Sequence, residues 1–256
     1  MDFSNRYIVG FALAICLVCS LAVSSTAVAL KDLQEANKKL DMQTQILRVA
    51  GLITADASPT AEEAEALFAD IETIRIDTES GKVLGPADID PNPIIKAAKD
   101  SSLSTATNSP EAKSASLKRM PNELTVMKVT AAGNECYVFL LWGNGLWSTM
   151  YGYLALETDL QTVKGITFYA HGETPGLGGE IDNPVWQARW IGKKVYNEAG
   201  QAALTVTKGG QAKDLNHQVD GISGATITSV AVGYTALTWL GEEGYGNFIK
   251  SEKEAK

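Results

Sequence analysis

Residues 8–30 form an unbroken run without a charged side chain, long enough for a helix crossing a bilayer, which takes about 20 apolar residues. The pattern then changes. Over residues 31–53, Leu33, Leu40 and Leu47 recur every seven positions with Ile46 alongside, the mark of an amphipathic helix that could extend the first one. Its stripe either packs on the following domain or meets a partner. Residues 56–59 interrupt it, and Thr60 with Glu63 forms a capping box for a short acidic helix over 61–71. Residues 74–76 read as a short strand and the Gly/Pro/Asp-rich stretch 81–93 as loop. Residues 100–121, rich in Ser, Thr, Ala and Lys without a sustained period, read as a flexible excursion.

Strand signals dominate afterwards. They cover 124–129, 136–142, 152–157, 163–170 and 204–207, with a turn at Gly143-Asn144-Gly145. Residues 184–191, carrying Trp186 and Trp190, predict a short helix; 228–240 predict a closing helix and 241–256 a polar tail. The predicted class is α+β: one N-terminal transmembrane helix, then a mainly antiparallel sheet flanked by helices. The expected division is an anchor (1–30), juxtamembrane helices with a loop excursion (31–121) and a ligand-binding domain (122–256).

A net charge of −8 over 256 residues shows no basic patch for nucleic acid. Cys16 and Cys19 lie inside the apolar run, where they read as small membrane-helix residues, and Cys136 opens a strand, so no disulfide framework is expected. Arg6 before the run and Ala27-Val28-Ala29 at its end also fit a cleaved signal peptide. Either reading sends the rest of the chain out of the cytoplasm.

Two stretches carry candidate chemistry. In Asp220-Gly221-Ile222-Ser223-Gly224-Ala225-Thr226, small residues and hydroxyls precede a helix, where free N–H groups and the positive dipole end attract anions. Gly224 and Ala225 leave the backbone approachable, and Thr226 offers a hydroxyl that could carry a phosphoester; an ordinary helix cap is the plain alternative. In residues 171–180, His-Gly-Glu-Thr-Pro-Gly-Leu-Gly-Gly-Glu, Gly density lets the backbone approach a flat ligand, although Gly176-x-Gly178 lacks the dinucleotide spacing. A structural hairpin loop is the alternative there. With two histidines, His171 and His217, no metal-ligand spacing is seen. A hydrolase built on Ser223 with His217 as base fails the nucleophile-elbow pattern at Ala225.

Together, Asp-x-x-Ser-Gly-Ala-Thr and His-Gly-Glu-Thr-Pro-Gly-Leu-Gly resemble the two motifs of the FMN-binding domains in the Na+-translocating NADH:quinone oxidoreductase (Nqr) and Rnf electron-transport complexes. Residues 41–51 and the Ser/Thr-rich segment look more like the C subunit of Nqr than the G subunit of Rnf. The resemblance implies FMN held covalently through its phosphate on Thr226, with Ser223, Gly224 and Ala225 forming the attachment turn. Thr228 is the neighbouring competitor for the ester. Glu173, Thr174, Leu177 and Gly178 become candidates for contact with the isoalloxazine ring. Asp220 would be read by the flavin-attaching enzyme, coordinate its metal, or cap the turn. His217 either approaches the phosphate or ribityl chain or is a plain loop residue. The resemblance further implies a retained anchor in the bacterial inner membrane and a periplasmic domain. The partners would be a flavin transferase and the other members of a six-subunit assembly moving electrons from NADH toward ubiquinone with Na+ export. The competing reading is an anchored module that binds flavin or another ligand reversibly.

Overall fold

The computed structural model describes residues 4–255; the first three positions of the expected anchor and the last residue of the expected tail lie outside them. The chain divides into two compact units, up to Met42 and from Gln43 onward. The first unit is helical from Asn5 onward. Helix α1 (Asn5–Val49) carries the apolar run, with a mean hydropathy of 2.4 over its most apolar window, and is long and apolar enough to cross a membrane. The amphipathic stretch thus continues the first helix. Of the heptad leucines only Leu47 is buried, and α1 residues become buried only from Gln43.

The second unit is built on a six-stranded antiparallel sheet. Chain order gives α2 (Ala61–Leu67), β1 (Ile71–Asp77), β2 (Val83–Pro86), α3 (Asn92–Ala97), β3 (Ser104–Ala106), α4 (Pro110–Ser114), β4 (Arg119–Pro121), β5 (Glu123–Val129), β6 (Cys136–Asn144), β7 (Thr149–Glu157) and β8 (Val163–Ala170). There follow α5 (Pro184–Gln187), β9 (Thr205–Val206), β10 (Gln218–Val219), α6 (Thr226–Leu240) and α7 (Gly246–Glu254). The sheet order is β2-β1-β5-β6-β7-β8; β3 and β4 form a separate antiparallel pair, and β9 and β10 a parallel one. The Thr60–Glu63 capping box starts α2, with both reciprocal bonds formed.

Strand β6 is buried from Cys136 to Gly143, because the sheet is covered on both faces and alternation is lost. Register aligns Leu140, Tyr153 and Thr167 on one face, where Thr167 donates to Gln45 at the end of α1 (2.6 Å). Phe139, Leu154 and Ile166 line the other face. There Phe139 packs against Tyr245 at 4.9 Å between ring centroids, and the Trp239 indole N–H donates to the Trp142 carbonyl (2.7 Å). Burial of Cys136 pushes its thiol up to about 12, which makes it an inert packing residue.

Three expectations change. The stretch 81–93 contains β2 and the start of α3; β2 pairs along β1 and so escapes a local signal. Residues 100–121 are an ordered hairpin and helix with Ala112, Ala115, Leu117 and Met120 buried, pinned where Glu243 accepts from the N–H groups of Asn108 and Ser109 (2.6 and 3.2 Å). The expected polar tail holds α7, with Tyr245, Phe248 and Ile249 buried and the Tyr245 hydroxyl bonded to the carbonyls of Thr125 and Leu140. Since β1 and β2 belong to the same sheet as β5–β8, the second unit begins well before residue 122.

Candidate functional site

The two sequence motifs meet at the start of α6. The chain enters this helix through Gly224 at φ +74°, a conformation that L side chains disfavour. Leu177 lies close enough that a Cβ on Gly224 would stand 3.2 Å from its Cδ2. Among the described residues no side chain caps the helix. The N–H groups of Gly224, Thr226, Ile227 and Thr228 have no acceptor among those residues either. Ser229, in the first turn, is fully buried, and its Oγ accepts from the Ile222 N–H (2.8 Å), which folds the motif back onto the helix. The result is a turn of unpaired donors at the positive end of a 15-residue helix, an arrangement suited to an anion.

Below this turn lies a buried carboxylate. Glu173 is 4% exposed. Its Oε1 accepts from the N–H groups of Trp147 (2.9 Å) and Ser148 (3.2 Å) and its Oε2 from Leu146 N–H (3.1 Å) and the Thr228 hydroxyl (2.6 Å). Burial alone pushes this carboxyl up, but the Thr228 hydroxyl and the three amides outweigh burial and hold it below its ordinary value. Gly178 completes the packing, since a Cβ there would meet Thr228 Oγ1 at 2.5 Å. The His171 ring braces the same loop: Nδ1 accepts from the Glu173 N–H (3.1 Å) and Nε2 donates to Asp182 (2.6 Å). Glu173 therefore ties the β6–β7 turn, residues 145–148, to the floor of α6.

Above this floor the surface is open. Thr226, Ser223 and Thr174 are exposed, and Thr174 gives its carbonyl to the N–H groups of Leu177 and Gly179. Large apolar side chains remain in water: Trp147 at 71%, Ile227 at 58%, Leu146 at 49% and Leu177 at 45% exposed. A groove of about 410 Å³ runs beside Thr226, Ile227 and Val230 and is lined by Ser116, Asn144, Lys208 and Tyr234 among others. The larger cavity, about 470 Å³, lies elsewhere, among Arg75, Asp90, Ile94 and Leu124. Size alone does not identify the site, because only the smaller groove touches either motif.

Two candidates stand apart from the open surface. The carboxylate of Asp220 accepts from Ala212 N–H (2.7 Å) and pairs with Arg189 (3.4 Å), while its carbonyl accepts from the Trp186 indole (2.9 Å). His217 is engaged with Asp214 (2.8 Å) and the Tyr196 carbonyl (3.2 Å). Ala225 is buried beneath the turn. Sequence reading missed Thr228 as the partner of Glu173, the 146–148 amides that Glu173 binds, and Lys208. The Gly143–Gly145 turn marked the second of these regions as a bend, but nothing in the sequence tied it to Glu173.

Comparison with known proteins matches residues 145–240 to the FMN-binding domain family. The chain is 42% identical to the C subunit of the Na(+)-translocating NADH-quinone reductase of Yersinia pestis, over 94% of this chain and 90% of that one. It is 43% identical to the C subunit of the same reductase from Pseudomonas aeruginosa, covering 96% and 95%. The crystal structure of Shewanella oneidensis NqrC superposes with a TM-score of 0.75 at 32% identity, over 86% of this chain and 99% of that one. The exposed turn at Thr226 and the buried carboxylate beneath it thus lie within a matched FMN-binding domain, and the chain belongs to the NqrC family, the C subunits of the Na(+)-translocating NADH-quinone reductases.

Proposed function

We propose that this chain carries FMN joined through its phosphate to the Thr226 hydroxyl and relays electrons within a Na+-translocating NADH:ubiquinone reductase. The observation that carries this reading is the contrast between two hydroxyls. Thr226 is exposed at a turn of unpaired amides, whereas Thr228 is buried and spends its proton on Glu173. The residues present fit the group. Unpaired N–H groups and the helix dipole stabilise a phosphate at Thr226, and Leu146, Trp147 and Leu177 offer apolar surface to a flat ring. When bound, FMN supplies one-electron redox chemistry. The chain's own residues hold and orient it: Glu173 fixes the loop bearing Leu146 and Trp147, and Gly224 lets Leu177 approach the turn. Asp220 and His217 act at a distance, as braces of the chain leading into the motif.

In this reading α1 anchors the chain in the bacterial inner membrane and the second unit stands in the periplasm, where a covalent tether prevents loss of a cofactor that cannot readily be replaced. A flavin transferase attaches the group, and the other members of a six-subunit assembly supply the NADH, quinone and Na+ sites. The test is ultraviolet fluorescence of the full-length protein after denaturing electrophoresis, with the protein expressed together with its flavin transferase and exported. A fluorescent wild-type band beside a dark Thr226→Ala band is expected. A dark wild-type band, with the transferase active on a control substrate, would leave a reversible binding module. Fluorescence surviving in Thr226→Ala would move the attachment elsewhere.

A further inference from the structure

Deepening the attachment reading above and resting on it, we infer that Lys208 is the charge partner of the phosphate on Thr226 and that the groove beside it takes the polar ribityl-phosphate end of the cofactor. A phosphodiester keeps one negative charge. Of the charged side chains nearby, Arg189 is neutralised by Asp220. Among the described residues Lys208 is the one charged side chain lining the groove, and no carboxylate there pairs with it. The lining also carries polar groups. Ser114, Ser116, Asn144 and Tyr234 give the groove hydroxyl and amide groups suited to a chain of alcohols, beside the apolar Ile227, Val230 and Ala231 of α6, while the exposed Leu146, Trp147 and Leu177 belong to the neighbouring loops.

Tertiary contacts fix the Lys208 loop to the attachment motif. The Gly221 N–H donates to Thr207 Oγ1 (2.9 Å), and the Ala212 N–H donates to Asp220 (2.7 Å). The Thr207 N–H donates to the Val219 carbonyl (2.9 Å), where β9 and β10 pair. A Cβ on Gly221 would collide with the Thr207 carbonyl oxygen, so the two segments approach at backbone distance. Asp220, the first residue of the motif, thereby serves as the clamp that holds the loop bearing Lys208.

The experiment is amine acylation of full-length protein, read residue by residue by mass spectrometry, on flavin-loaded wild type and on Thr226→Ala. Lys208 labelling is expected to fall at least about fivefold in the loaded protein, with Lys99 unchanged as an internal control. Equal Lys208 labelling in protein whose intact mass shows the flavin would overturn the inference and leave the attachment standing. Absence of flavin from wild type would instead overturn the attachment. As a second readout, Lys208→Met is expected to shift the phosphorus resonance of the phosphodiester and Lys208→Arg to restore it. A resonance unmoved by Lys208→Met would also sink the assignment.

Discussion

Thr226 and Thr228 stand two positions apart on one helix, yet they belong to opposite surroundings. Thr228 is 2% exposed and closes a carboxylate network with four donors. Thr226 faces water among amides that have no acceptor among the described residues. One region is finished and the other is left open. A buried carboxylate is costly unless every lone pair is engaged, so the Glu173 network fixes two loops and the start of α6 relative to one another. That rigidity lets the rim above keep unpaired amides and exposed apolar side chains without collapsing over them. The open half of the site depends on the closed half.

The largest effect tests the rim. Thr226→Ala is expected to abolish covalent flavin while shifting stability by no more than about 0.5 kcal/mol, because it alters one exposed side chain; intact mass and thermal unfolding measure the two halves of that statement. Next comes the floor. Glu173→Ala strands the Leu146, Trp147 and Ser148 amides and the Thr228 hydroxyl, and is expected to cost about 2–3 kcal/mol. Its mark is a lower denaturant midpoint with an unchanged slope. A variant as stable as wild type would show that the network does not hold the site together.

Acid sharpens the same point. Glu173 titrates below its ordinary value of 4.5 when folded, so the unfolded chain binds its proton first and the group's stabilisation is present above that value. It disappears as pH falls through the lower folded value. The stability gap between wild type and Glu173→Gln is therefore expected to be full at pH 7 and to narrow below about pH 4.5. A gap independent of pH would mean that the carboxylate charge contributes nothing. The smallest effect is Thr228→Val, which removes one of four bonds to Glu173 and is expected to cost about 1–2 kcal/mol with flavin attachment retained. Loss of attachment there, in folded protein, would erase the distinction between the two threonines.

Much of the fold was legible because its signals are local. The charge-free run of 8–30, the Thr60–Glu63 box and the strand over 163–170 each follow from spacing within a few residues, and each appears where expected. The unread elements depend on distant partners. Strand β2 exists by pairing with β1, and Tyr245, just before α7, and Phe248 within it are buried against β6 despite a mostly polar sequence. The segment 100–121 carries no period because its few buried side chains, Ser104, Ala112, Ala115, Leu117, Met120 and Pro121, are spread over a strand pair and one short helix.

The site divides along the same line. By itself the sequence determined that a membrane-length helix leads a mixed α+β unit, that a turn of small residues opens a late helix, and that a Gly-rich loop follows a strand. These are properties of neighbouring residues, whose backbone preferences are set within a turn or two. Only the tertiary structure decided that Glu173 bonds Thr228 across 55 positions, that Asp220 clamps the loop of Lys208, and that His217 reaches the Tyr196 carbonyl. Those contacts arise when sheet register and helix packing bring separated segments to hydrogen-bond distance, and the long-range geometry that does so leaves no periodic trace in the chain.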